Sequence, residues 1–183
     1  GQGFAYSGSA IDPHQMVFYY SNGSQLVGLD MYNGSIFSSP TLTFPNGGQY
    51  FDNFTYSCAD TSLYGLVRTN YFSQVYDPQT MMTTQVFDSA AVHLGKVNAM
   101  TGEVTKISTQ SIGVSAFSIN GSSTIDPVNL IYYFISGSSN GLAIYGVSLQ
   151  TGLVVSQGTI SNAGALYFDM MRIQSDCYEA RPT

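Results

Sequence analysis

The chain writes one phrase twice. "SAIDPHQMVFYYSNG" spans residues 9–23 and "STIDPVNLIYYFISG" spans residues 123–137. In both, Ile-Asp-Pro leads into an apolar and aromatic run that ends at small polar residues. Self-similarity at long range marks an architecture of stacked supersecondary units, because each unit buries its apolar faces only against its neighbours. Anchoring on the acid of this turn finds Asp12, Asp60 in "SCADTSLYGLV", Asp126, and Asp176 in "QSDCYEA", with intervals of 48, 66 and 50 residues. A second anchor is a turn glycine, Gly34 in "LVGLDMYNGSIFSS", Gly102 in "VHLGKVNAMTGEVTKIS" and Gly152 in "IYGVSLQTGLVVSQ". Glycine supplies the positive φ that such a connection demands.

Each unit reads as four short strands, in the first unit roughly residues 4–10, 16–20, 25–30 and 35–41. Runs such as "MVFYY" and "LIYYFI" are nearly continuous apolar, the pattern of strands buried on both faces between stacked sheets. No long 3.6-residue periodicity competes with them. The expected fold is all-β: β-propeller-type blades, each a four-stranded antiparallel sheet, with about three and a half blades in residues 1–183. The units run roughly over 4–46, 47–113 and 114–163, with a partial one at 164–183. A β-sandwich is the alternative, but a sandwich has no reason to repeat its sequence every four strands. Three and a half blades leave an open half-blade edge. Further blades of a longer chain, or other copies of this one, are the partners expected there.

Composition narrows function mainly by exclusion. Charged residues make up 9% of the chain, the net charge is −6, and the five Lys and Arg are scattered. That gives phosphates no basic patch to bind, so nucleic acid is not an expected partner. No apolar run approaches the roughly 18 residues of a membrane-spanning helix. Low charge with 14 Tyr and 11 Phe suits an extracellular or cell-surface strand protein. Four Asn-x-Ser/Thr acceptor sequences, at Asn22, Asn33, Asn53 and Asn120, fit that compartment. The repeat register places Cys58 and Cys177 two units apart, which predicts two separate thiols.

The repeat phrases, with "YFDNFTYSCADTSLYGLV" (residues 51–67) and "LAIYGVSLQTGLVVS" (142–156), resemble the repeats of secreted bacterial cell-surface β-propellers. The resemblance covers almost the whole chain and is structural in kind. It implies an exported propeller and carries no catalytic residues. The Thr-Gly turns at residues 101–102 and 151–152 are shared with quinoprotein propellers. Those also rely on a repeated Trp, which this chain lacks, so no cofactor is expected.

No residue pattern points to catalysis. The recurring acids occupy turns, where Asp bonds its own backbone and a following Pro fixes the bend. His14 and His93 stand in no metal-binding spacing, and His93 alternates with Val92 and Leu94 and so faces away from them. The expected site lies in the stretch that lengthens the second unit, Thr69 to Ser89, read as a long loop on one rim. It offers Tyr71, Phe72, Tyr76 and Phe87 beside Asp77 and Asp88. Rings that stack on a sugar's apolar face, next to carboxylates that accept from its hydroxyls, make glycans the ligand class to expect. The role expected of the whole is non-enzymatic, a structural or adhesive part of a surface or extracellular assembly. The alternatives are a lectin-like propeller and the inert arc of a propeller hydrolase.

Overall fold

A computed structural model describes residues 8–114, 119–138 and 141–160. The described chain is all-β. Twelve strands form three separate four-stranded antiparallel sheets, each built from strands consecutive in the chain. The first blade holds β1 (Ser9–Asp12), β2 (Val17–Ser21), β3 (Leu26–Asp30) and β4 (Ile36–Ser38). The second holds β5 (Tyr50–Ser57), β6 (Ser62–Asp77), β7 (Met82–Val97) and β8 (Val104–Lys106). The third holds β9 (Ile119–Asp126), β10 (Ile131–Ser138), β11 (Gly141–Ser148) and β12 (Val154–Ile160). Three separate four-stranded sheets packed face against face are propeller-type blades; a sandwich would gather the strands into two. The partial unit at 164–183, with Asp176 and Cys177, lies outside the described residues.

The hairpin turns explain the repeated phrase. β1–β2, β5–β6 and β9–β10 are each joined by four residues, the pairs that close them being Asp12 with Val17, Ser57 with Ser62, and Asp126 with Ile131. The last loop residue is left-handed in each, with φ of 55° at Met16, 53° at Thr61 and 55° at Leu130. The Asp12 carboxylate accepts from the His14 and Gln15 amides, and that of Asp126 accepts from the Val128 and Asn129 amides. These side chains build the bend. The structural counterpart of Asp12 in the second blade is therefore Ser57, not Asp60, and the unit intervals become 45 and 69 residues. Asp60 sits inside its loop and reaches sideways to Tyr64 and Lys96 instead.

The turn glycines recur as expected. The amides of Gly34, Gly102 and Gly152 donate to the carbonyls of Asp30, Asn98 and Ser148, and φ is 73°, 76° and 69°. Only the latter two are crowded. A Cβ on Gly102 would meet the Thr41 carbonyl oxygen, and one on Gly152 would lie 2.8 Å from the Ser108 side chain. In both, the chain leaving the outermost strand of one blade presses on the turn of the next. At the first joint it also pairs with that turn, Thr43 donating to Gly102 at 3.0 Å and accepting from Val104 at 2.8 Å.

The core lies between blades. One cluster joins Val17, Tyr19 and Leu26 of the first blade to Phe51, Phe54, Leu63 and Val104 of the second. The other joins Tyr64, Leu66, Val92 and Leu94 of the second blade to Ile125, Tyr132 and Phe134 of the third. The middle blade is thus covered on both sides, and Leu63 to Val67 is buried without a break. In β2, by contrast, burial alternates, because the first blade has a described neighbour on one side only. The expectation of strands buried on both faces fails for "MVFYY" and for Ile131 and Tyr133 of "LIYYFI", in blades with one described neighbour, and is met by Leu63 to Val67 in the blade that has two.

His93 faces away from Val92 and Leu94 as the alternation predicted. It is 5% exposed, and a ring nitrogen lies 3.2 Å from the Thr109 carbonyl oxygen. Burial, with Lys106 beside it, lowers its pKa; the Thr109 contact opposes this. The folded chain therefore resists a proton that the unfolded chain accepts below the ordinary value of about 6.5. Its stabilising share is complete above that pH and is lost as pH falls toward the lowered value. The melting temperature should fall between pH 7 and pH 5, and His93→Gln should flatten that slope.

The expectation of two separate thiols does not hold. Cys58 is disulfide-bonded. Cys58 sits in the β5–β6 turn whichever residue anchors the repeat, and a count of units along the chain does not by itself set the distance between two thiols. The blade assignment stands on the observed sheets and does not depend on the cysteines.

Candidate functional site

The stretch Thr69 to Ser89 is not a loop. β6 and β7 run on past the body of their blade and stay paired, from Thr69 with Ala91 to Asp77 with Met82. Nine residues at about 3.3 Å each carry this two-stranded arm about 30 Å. The reason lies in the sequence of its tip. Asp77-Pro78 begins another four-residue turn of the Asp12 kind, with Met81 left-handed at φ 54°. The Asp77 carboxylate accepts from the Gln79 amide and the Thr80 hydroxyl, and these bonds lower its pKa. The turn that starts each blade is thus reused to fold back the insertion, flanked by residues of high strand propensity.

The arm brings the expected site residues together on a ribbon that is nearly all exposed. Its register sorts them onto two faces. Phe72, Gln74 and Tyr76 stand opposite Phe87, Gln85 and Thr83 on one face. Phe72 and Phe87 meet edge to face, with centroids 5.8 Å apart. The rings remain open to solvent, Phe72 at 50%, Phe87 at 40% and Tyr76 at 57%. Val75, Val86 and Met82 lie on the opposite face with Asp77. A bulge between Tyr71 and Phe72 leaves Asp88 unopposed. Its carboxylate accepts from the Ser73 hydroxyl at 2.8 Å. The two acids therefore brace the arm, and neither stands on the ring-bearing face with Phe72 and Tyr76. Sequence reading missed Gln74 and Gln85 on that face; the signal was the strand alternation inside a stretch taken for a loop.

A concavity lies at the other end of the second blade, where the β5–β6 and β7–β8 turns meet the first blade. This cleft of about 530 Å³ is lined by Gln15 and Tyr19 on one side and by Lys96, Met100 and Glu103 on the other. Lys96 is tied to Asp60 at 2.9 Å. Burial raises the Asp60 pKa, but hydrogen bonds from Tyr64 and Lys96 outweigh it and hold the carboxylate below its ordinary range. An acid stabilised in its charged form makes a poor proton donor. Among the described residues, no three His, Cys, Asp or Glu side chains come close enough to hold a metal ion.

The acceptor sequences separate by position. Asn22 and Asn33 are exposed at hairpin turns. Asn53 is 1% exposed, and its carbonyl accepts from the Ser123 and Tyr132 hydroxyls of the third blade, which leaves a glycan no room in the folded chain. Asn120 lies in β9. Among the described residues, no helix is long and apolar enough to cross a membrane.

The chain matches no protein-family model and no curated protein. Among solved structures it is similar to hydrazine synthase of Kuenenia stuttgartiensis, at 14% identity and a TM-score of 0.41, over 87% of this chain and 52% of that one. It is also similar to a putative dipeptidyl aminopeptidase IV of Bacteroides ovatus, at 9% identity and a TM-score of 0.28, over 80% of this chain and 29% of that one. The chain thus spans about half the length of the first and less than a third of the second.

Proposed function

We propose that this chain is a non-enzymatic, exported propeller module with an adhesive role, and that the arm formed by β6 and β7 is its contact element. One observation carries the reading. A two-stranded ribbon is marginally stable alone, yet this one is seated on the best-buried blade and holds Phe72, Tyr76 and Phe87 out in solvent. A scaffold that keeps large rings exposed on a rigid element is arranged for contact with something else. Exported placement accords with the low charge and with the exposed acceptor sequences at Asn22 and Asn33.

Carbohydrate is the second reading, and the ring-bearing face favours it. Phe72 and Tyr76 offer apolar platforms, and Gln74 and Gln85 carry amides that both donate to and accept from hydroxyls. Replacing residues 70–90 by Asn-Gly, which closes a tight hairpin between Thr69 and Ala91, should leave the blades folded and abolish binding to a glycan array and to whole-cell surfaces. Tyr76→Ala alone should weaken binding about tenfold, on the order of 1.4 kcal/mol. Retained surface binding without the arm would overturn the proposal. Binding to surfaces stripped of glycan would leave the adhesive reading standing and overturn the carbohydrate one.

A further inference from the structure

We infer that the free face of the first blade docks the third blade of a second copy, and that two copies close one ring head to tail. The inference goes beyond the adhesive reading and does not use the arm. It rests on one row of side chains that recurs across all three sheets. In the second blade the row is Tyr56, Leu63, Val97 and Val104, paired strand to strand. All four are at most 3% exposed, and all belong to the cluster shared with the first blade. In the third blade the same row is Ile125, Tyr132, Val147 and Val154. Its first three are buried against the second blade. In the first blade the row is Ile11, Phe18, Leu29 and Ile36. There Ile11 is 42% exposed and Ile36 69%. The first three positions of this row, which two blades bury against the blade before them, stand partly open on the first blade, which has no described blade before it.

The third blade carries the matching face. On the side of the first blade that meets the second, Gly28 is so close to Tyr19, Val17 and Ser38 that a Cβ would strike all three. On the far side of the third blade, Gly146 stands in the same way to Tyr133, Ile131 and Ser156. The third blade therefore shows outward what the first blade shows the second. The glycine turns agree. Gly102 and Gly152 are pressed by chain from the preceding blade, and around Gly34 there is nothing within 4 Å.

Contact between two different faces of the same chain closes only if the rotation allows it. Two copies bring six described blades together, within the four to eight of a closed propeller. Each joint would then repeat one already built twice within the chain, with no new chemistry.

The test uses the whole chain in solution. Light scattering after size exclusion should give a dimer of twice 19.7 kDa. Ile11→Lys with Ile36→Lys, both at exposed positions, should raise the dimer dissociation constant at least 100-fold while the strand circular dichroism is unchanged. Two single variants, Ser35→Cys in one copy and Thr159→Cys in another, should form a disulfide-linked dimer only when mixed. A monomer at all concentrations, open-ended polymers, a dimer indifferent to the lysine pair, or a dimer lost on removing the arm would each overturn the inference. Because arm removal is scored by surface binding and the lysine pair by mass, failure of one proposal is distinguishable from failure of the other.

Discussion

Gly102→Ala should be among the most damaging single substitutions in the chain, and Gly34→Ala, at the equivalent turn, should be mild. Both glycines hold φ near 75°. The left-handed conformation alone costs a non-glycine residue about 1 kcal/mol. At Gly34 that is the whole cost, because nothing lies within 4 Å of the added carbon. At Gly102 the new Cβ falls on the Thr41 carbonyl, with the Thr41 carbonyl carbon at 2.8 Å and the Pro40 side chain at 3.1 Å. Backbone cannot swing aside as the end of a side chain can. The joint must open, with loss of the bonds between Thr43 and the Gly102 turn. Each such bond is worth about 1 kcal/mol. A difference of at least about 2 kcal/mol between the two variants in denaturant unfolding is expected. Equal effects would refute the account of the blade joint.

Phe134→Ala should cost about 3–5 kcal/mol, the usual range for deleting a fully buried ring. Phe134 is 0% exposed and lies between Tyr132 and Tyr145, with centroids 6.0 Å and 5.4 Å away. No neighbour can fill the void, since these rings are held by strands on both sides. Tyr20 occupies the same position in the first blade, each being the second residue after the hairpin's first aromatic. It is half-buried, beside Phe18 on the free face. In an isolated copy Tyr20→Ala should cost no more than about 1.5 kcal/mol. Two copies that stack would make Tyr20 behave like Phe134, so the concentration dependence of its cost offers a second reading of the docking inference. Thermal unfolding of both variants at several concentrations measures this.

Much of the fold is legible in the residues because it depends on local chemistry. An Asp whose carboxylate caps two amides, a Pro that fixes the bend and a left-handed Met or Leu four residues on are enough to turn a hairpin wherever they occur. That is why Asp12 and Asp126 could be read as turns in advance, while Asp77, expected as a ligand contact, proves to turn the arm by the same chemistry. The same locality misleads where one position is filled differently. Ser57 stands where Asp would be, and the nearby Asp60 took its place in the alignment of repeats. Asp60 is acidic for another reason, its contacts with Tyr64 and Lys96. The candidate site was legible in its residues and not in its shape. Tyr71, Phe72, Tyr76 and Phe87 stood out by type, but an insertion rich in Gln and Thr reads as loop until its two halves are seen to pair.

The sequence by itself determined the unit: four antiparallel strands, their turns, and the glycines that must be left-handed. These follow from backbone sterics and from hydrogen bonds within a few residues. Only the tertiary structure decided which faces are covered. "LYGLV" in the second blade and "VFYY" in the first are equally apolar, yet one is buried on both sides and the other on one. Burial belongs to the neighbour and not to the strand, and the neighbour's position is set by how the sheets stack. The free row Ile11, Phe18, Leu29 and Ile36 is visible only once its buried counterparts in the other two blades are seen.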